Sequence, residues 1–307
     1  MRKLAAGLAV AVLSAIVFAW HWHATAGHPD FDQMYAGALA LRHGLNPYAE
    51  VCPGCAFDWP APLYYPLPAL LLVVPLTSLP IRVAGSAFVA VGGLCLGCAI
   101  ERRGDRSAYL ILLSGAFINC VVSGQWSLLL LAALWLPAAG VVGVAKPNVV
   151  AIVASGWTRA RDAVWAVGGA VALVSASFAL RPHWLGEWRQ ALGAAPWQHS
   201  PVLYPGGFLA LAALVKWRRP EARVLAAYAL IPQTPTSYSD LLLFAVPRGR
   251  LEFGLLAAVT YATAPLLRAI APADTSMVTT VYRYGAVSAV LLMLPCVLMV
   301  LRRPNVN

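Results

Sequence analysis

Asp30-Phe31-Asp32-Gln33-Met34-Tyr35 follows an apolar run, residues 4–20, and opens a short helix-like stretch, residues 36–43. That stretch closes at Gly44-Leu45-Asn46-Pro47-Tyr48, where Gly, Asn and Pro end a helix and start a turn. Trp59-Pro60-Ala61-Pro62-Leu63-Tyr64-Tyr65-Pro66 comes next, and the chain then returns to apolar sequence. Two carboxylates therefore stand at the mouth of a hydrophobic bundle, in a chain of 307 residues that holds only 12 acids.

Composition sets the class. The chain is 60% hydrophobic and 11% charged, whereas a soluble protein carries about 25% charged residues. Apolar runs at 4–20, 63–79, 83–100, 108–122, 127–157, 163–180, 202–215, 224–246, 253–270 and 284–301 approach or exceed the roughly 18 residues that cross a bilayer. The runs at 127–157 and 224–246 are broken by proline. The expected fold is an all-α, multi-pass transmembrane bundle of about nine or ten membrane segments, some partial, forming one integral domain over residues 1–307. Alternating polarity in segments of about ten residues, the mark of a β-barrel, is not evident.

The net charge of +10 reflects basic residues spread over short loops and is no sign of nucleic-acid binding. Arg102-Arg103 with Arg106, Arg159 with Arg161, Lys216 to Arg223, and Arg302-Arg303 all favour the cytoplasm by the positive-inside rule. Met1-Arg2-Lys3 before the first run places the N-terminus there too, and the segment after Ala26 outside. Ala24-Thr25-Ala26 resembles a signal-peptidase site, but the run before it is long for a signal peptide, and an uncleaved anchor is the expectation. Strict alternation conflicts with this assignment. If the acidic loop is outside, two crossings at 63–79 and 83–100 carry Arg102-Arg103 outside as well, unless one of them is re-entrant or interfacial.

All 6 histidines fall in two segments: His21, His23, His28 and His43 in the first, and His183 and His199 in the second. The first exoplasmic loop, 23–65, also holds Asp30, Asp32, Glu50 and Asp58; the second, 181–201, holds Trp184, Trp188 and Trp197. Both loops are expected to roof one site, with the tryptophans serving as interfacial anchors or lining a sugar or lipid groove. Asp30 and Asp32, two residues apart, do not share a helix face. Each reads either as a helix cap or as a general base for a hydroxyl nucleophile at the membrane edge. Lys146 sits in apolar surroundings, where a cation needs a partner. It reads either as a snorkelling helix-end lysine or as a point charge for a phosphate. Asn119 and Gln125 flank a Ser-Gly break and suit sugar hydroxyls or helix ends equally.

The order of these elements resembles glycosyltransferase family 87, of the GT-C superfamily. Asp30-Phe31 with Tyr35, Gly44-Leu45-Asn46-Pro47-Tyr48, Tyr65-Pro66-Leu67-Pro68, Gly124-Gln125, Lys146-Pro147-Asn148 and Thr234-Pro235-Thr236-Ser237-Tyr238 carry the resemblance, from Asp30 to Tyr238. It implies a GT-C-like fold and a polyprenyl-phosphate-linked hexose or pentose as donor. It also implies a glycan or lipid acceptor, no cofactor or metal, and inverting transfer at the outer face of a bacterial plasma membrane among membrane lipids. It assigns Asp30 as catalytic base. Beside it, Asp32, His28, Arg42, Asn119, Gln125, Lys146 and Tyr238 are the candidate substrate contacts. The chain is shorter than the family expectation. Ser127 to Ala145, read as one helix about 28 Å long, would carry Lys146 away from Gln125.

Two other classes stay open. One is a transporter or lipid-handling protein, although no convincing internal repeat is found. The other is a thiol oxidoreductase using Cys52-Pro53-Gly54-Cys55, a motif that reads equally as a structural disulfide or as free thiols. Cys95 and Cys98 share a helix face and read as packing residues. No phosphate-cradling glycine loop, nucleophile elbow or zinc spacing is present.

Overall fold

The computed structural model describes residues 2–24, 28–193, 199–234, 238–270 and 277–304. The Thr25-Ala26 pair, Trp197 and Pro235-Thr236-Ser237 lie outside the described residues. The chain is mostly helical, and 4 helices are long and apolar enough to cross a membrane: Arg2–Ala24, Ile81–Arg103, Ala160–Leu180 and Thr279–Leu301. An all-α, membrane-embedded architecture follows, since only helices and closed barrels satisfy their backbone in lipid.

Helix α1 (Arg2–Ala24) leads to α2 (Phe31–Arg42) and the single-turn α3 (Pro47–Glu50). Strands β1 (Val51–Cys52) and β2 (Phe57–Asp58) pair in parallel around a Cys52–Cys55 disulfide. Helix α4 (Leu67–Val73) tightens into a 3-10 turn, Val74–Ser78, where Pro75 cannot donate to the helical ladder. Helix α5 (Ile81–Arg103) follows. Its first turn returns to the end of α1, with the Arg82 guanidinium 5.8 Å from the Trp22 ring. Residues 28–80 thus leave and rejoin the bundle at one end. The 63–79 run therefore begins and ends at that same end of the bundle, as a re-entrant segment would.

Helices α1 and α5 run antiparallel and close together because small residues line the contact. A Cβ on Gly97 would fall 2.8 Å from the Ala6 carbonyl oxygen, and one on Gly93 2.7 Å from that of Val10. The pairing brings Arg2 to Glu101 at 3.1 Å, so the Arg102-Arg103 cluster sits beside the N-terminus.

From there a 3-10 segment, Arg106–Leu113, and α6 (Gly115–Val122) lead to a turn at Gly124. Helix α7 (Ser127–Trp135) turns back but lasts only 9 residues, about 13 Å. Pro137 ends it, and a 3-10 segment, Pro137–Ala145, folds back along it. The expected single helix from Ser127 to Ala145 is thus a hairpin, and Lys146 comes back to Gln125. Helix α8 (Pro147–Ser155) heads the other way, its end held by Trp157 Nε1 donating to the Ala133 carbonyl at 3.1 Å.

Helix α9 (Val164–Leu180), led in by Ala160–Ala163, runs to α10 (Trp184–Gly193). The 3-10 segment Gly207–Lys216, α11 (Pro220–Leu230) and a 3-10 segment Asp240–Ala245 come next. The chain closes with α12 (Gly249–Ile270), α13 (Met277–Ser288), a π turn at Ala289–Met293 and α14 (Leu294–Leu301).

The basic clusters gather at one end. Arg303 meets Glu221 at 2.7 Å, Arg219 Nε donates to the Pro304 carbonyl at 3.0 Å, and Arg103 donates to the Pro247 carbonyl at 2.5 Å. Arg223 Nε donates to the Ser155 carbonyl at 2.7 Å. One end is therefore rich in arginine, and the other carries Asp30 and Asp32.

Candidate functional site

The start of α2 is anchored by Phe31, which is fully buried against Phe88. The Phe31 N–H donates to the Ser123 carbonyl at 3.2 Å, tying this helix end to the Gly124 turn. Gly124 has φ +63, and a Cβ there would lie 2.6 Å from Phe31 Cβ, so glycine is required both by conformation and by space. That contact places Gln125 beside Asp30.

Asp30 occupies the N-cap position of α2, yet its side chain makes no capping bond. The carboxylate instead accepts a hydrogen bond from Gln125 Nε2 and another from the Tyr238 hydroxyl. Gln125 Oε1 accepts from Lys146 Nζ at 2.7 Å and from the Tyr65 hydroxyl at 3.2 Å. The amide orientation is dictated by its neighbours: an ionised carboxylate only accepts and an ammonium only donates. The ammonium also lies 5.0 Å from the Tyr238 ring and 5.8 Å from that of Tyr65.

Gln125 and Tyr65 are buried, while Asp30, Lys146 and Tyr238 keep partial exposure. The result is an acid and a cation, bridged by one amide and reachable from outside. Burial pushes the Asp30 carboxyl above its ordinary value, opposed by the Lys146 charge and the hydrogen bonds from Gln125 and Tyr238.

Asp32 has a separate set of partners. Its carboxylate is 1% exposed and meets His28 Nδ1 at 2.9 Å, while His28 is 68% exposed. Among the described residues its second oxygen, Oδ1, has no partner. Burial raises its pKa to about 6, with the His28 hydrogen bond pulling the other way. Asp32 lies inside the first turn of α2 and does not cap it, which corrects the capping expectation.

The remaining candidates lie elsewhere. Arg42 sits at the far end of α2, about 18 Å along the axis from Asp30, and donates to Thr77 Oγ1 at 3.3 Å. Its expected substrate contact is not supported by this placement, because the helix carries it away from the carboxylates. Asn119 is half-buried on α6, and among the described residues it makes no side-chain bond to Asp30, Gln125 or Lys146. Tyr65 was not among the expected site residues, although its sequence signal was present in Tyr65-Pro66.

The two loops meet over this end. Trp188 Nε1 donates to the Tyr64 carbonyl at 2.8 Å, and Asn46 Nδ2 donates to Glu187 Oε1 at 3.3 Å. Glu187 is fixed in turn by Arg181 at 2.6 Å. Trp184 is buried against Phe178 and Trp188, so it packs inward rather than anchoring at a lipid surface. The Cys52–Cys55 bridge closes a small turn whose Gly54 N–H donates to Asp58 at 2.8 Å. No family model, curated protein or solved structure matches the chain.

Proposed function

We propose that this protein is a GT-C-like, multi-pass membrane glycosyltransferase, similar to family 87, that moves a hexose or pentose from a polyprenyl-phosphate donor to an acceptor hydroxyl. The observation that supports the reading is the meeting of Asp30, Tyr65, Gln125, Lys146 and Tyr238, drawn from separate segments, at one end of the bundle. The donor's lipid tail stays in the bilayer, so the protein needs to supply only an acid–cation pair at the membrane edge. Asp30 takes the proton of the acceptor hydroxyl. The resulting oxygen attacks the anomeric carbon as the bond from that carbon to the phosphate oxygen breaks, inverting the configuration. The phosphate leaves with an added negative charge, which Lys146 offsets. Gln125 holds base and cation at a fixed spacing and lowers the cost of burying both. The acceptor is a glycan or a lipid, and about nine or ten segments, some partial, embed the chain.

In this reading the arginine-rich end faces the cytoplasm of a bacterium, with the N-terminus, and the carboxylate end faces outward. The test is incubation of membranes containing the protein with labelled polyprenyl-phosphate sugars, followed by single-turnover measurement of transfer. Wild type transfers label, and Asp30→Asn, at equal membrane abundance, binds donor but loses about 10²–10⁴ in rate. Absence of transfer from every polyprenyl-phosphate sugar, or full activity of Asp30→Asn, overturns it.

A further inference from the structure

At the arginine-rich end a groove of about 590 Å³ runs between α1, the 3-10 segment Arg106–Leu113 and α6. Leu13, Val17, Leu110, Leu113, Phe117 and Ile118 line it. Leu13, Leu113 and Ile118 are exposed, at 39%, 64% and 38%, so the groove opens sideways and is not a closed core void. Arg106 and Arg250 close its basic end. Both are exposed, and among the described residues neither has a hydrogen bond or an ion pair.

The nearby acids are already engaged. Asp105 accepts from the N–H groups of Ser107 and Gly249, and Glu101 pairs with Arg2 and accepts from the Tyr109 hydroxyl. Two cations without an ion pair among the described residues therefore stand over an apolar trough, with the ionised Asp105 as the one acid beside them. From Arg106 to Ile118 the trough runs about 20 Å, given a 3-10 rise of about 2.0 Å and an α rise of about 1.5 Å per residue. One leaflet of hydrocarbon is about 15 Å deep.

We propose that this groove is a binding site for one anionic phospholipid of the leaflet at the arginine-rich end. Its phosphate lies between Arg106 and Arg250, and one acyl chain lies along Leu110, Leu113, Phe117 and Ile118. A zwitterionic lipid also offers a phosphate, but its headgroup cation is repelled by the two guanidinium groups, so net headgroup charge decides selectivity. The surface is distinct from the Asp30 cluster and requires nothing of the transfer chemistry.

Native mass spectrometry of the purified full chain, delipidated and titrated with phosphatidylglycerol or phosphatidylcholine, tests this. The expected result is one phosphatidylglycerol held in preference to phosphatidylcholine. Each cation near an anionic surface contributes a factor of about five, so Arg106→Gln with Arg250→Gln removes roughly 25-fold of that preference. Ile118→Trp, which fills the trough, weakens retention of both lipids. Inorganic phosphate at millimolar concentration does not compete, which separates a lipid from a free anion. Equal retention of the two lipids by wild type, or an unchanged preference in the double variant, overturns the proposal. Because the readout is lipid retention, this result is independent of whether sugar transfer is observed.

Discussion

Lys146→Gln separates a working cation from a structural one. The side chain donates to Gln125 Oε1 at 2.7 Å, and that amide donates in turn to Asp30. Two hydrogen bonds across one amide put the charges at about 7 Å, and at an effective dielectric of about 20 their attraction is about 2 kcal/mol. Glutamine removes this charge yet retains a donor for Gln125 Oε1, so folding is largely preserved. Two effects follow. The leaving phosphate loses its fixed partner, and removing one such electrostatic group costs about 10²–10³ in kcat. Asp30 also loses a charge that holds its pKa down. A base works only when deprotonated, so the acid limb of the pH–rate profile moves to higher pH.

Lys146→Arg keeps the charge in a bulkier, planar form and is expected to lie between wild type and Lys146→Gln. The assay is single-turnover transfer from a lipid-linked donor between pH 4.5 and 8.5, at matched membrane abundance. A plateau rate within about threefold of wild type, well below the 10²–10³ loss set by the electrostatic argument, together with an unmoved acid limb, would refute the assignment and leave Lys146 as a helix-end anchor.

Asp32 is buried with a pKa of about 6, above the usual carboxylate value of 3.8, so its ionisation opposes folding. The stability it confers is present below about pH 4 and is lost as pH rises through about 6. Asp32→Asn is therefore expected to raise the thermal midpoint at pH 7.5 but not at pH 4, and an equal shift at both pH values contradicts this. Cys52→Ser with Cys55→Ser is expected to retain most transfer activity, because the bridge lies on the β1–β2 turn and no transfer step uses a thiol; loss of activity in a folded, inserted variant favours redox chemistry instead. A single cysteine at Ala49, in a cysteine-free background, is expected to react with an impermeant maleimide on intact cells. Labelling only after lysis inverts the topology and removes the polyprenyl-donor reading with it.

The class of fold was legible because bilayer crossing leaves a compositional mark that needs no tertiary information. The site was legible only in pieces. Asp30, Gln125 and Lys146 stand out as polar residues in apolar sequence, but their meeting depends on two breaks whose geometry a hydropathy window does not carry. Pro75 shortens the 63–79 run so that it stays at one end, and Pro137 folds the 127–145 stretch onto itself. A proline announces that a helix stops, not which way the chain then turns. Arg42 shows the same limit. It is close to Asp30 in sequence, but one helix of 12 residues carries it about 18 Å away, to the Val74–Ser78 turn where it donates to Thr77.

Tyr65 was overlooked because its hydroxyl has a role only once Gln125 is beside it. Asp240 was overlooked altogether, and the contrast with Asp30 is instructive. Asp240 is 2% exposed and accepts hydrogen bonds from the Tyr228, Tyr284 and Ser288 hydroxyls at 2.9, 2.6 and 2.6 Å. Those neutral donors come from α11 and α13, so the carboxylate clasps three parts of the bundle and is closed to any substrate. Asp30 has fewer fixed donors, a neighbouring cation and an open side. A carboxylate that must take up and release a proton has to remain reachable, and it has to sit where a charge can change without stranding a buried ion. Asp30 meets both conditions, with the Lys146 ammonium one amide away, and that is the arrangement the proposed transfer calls for.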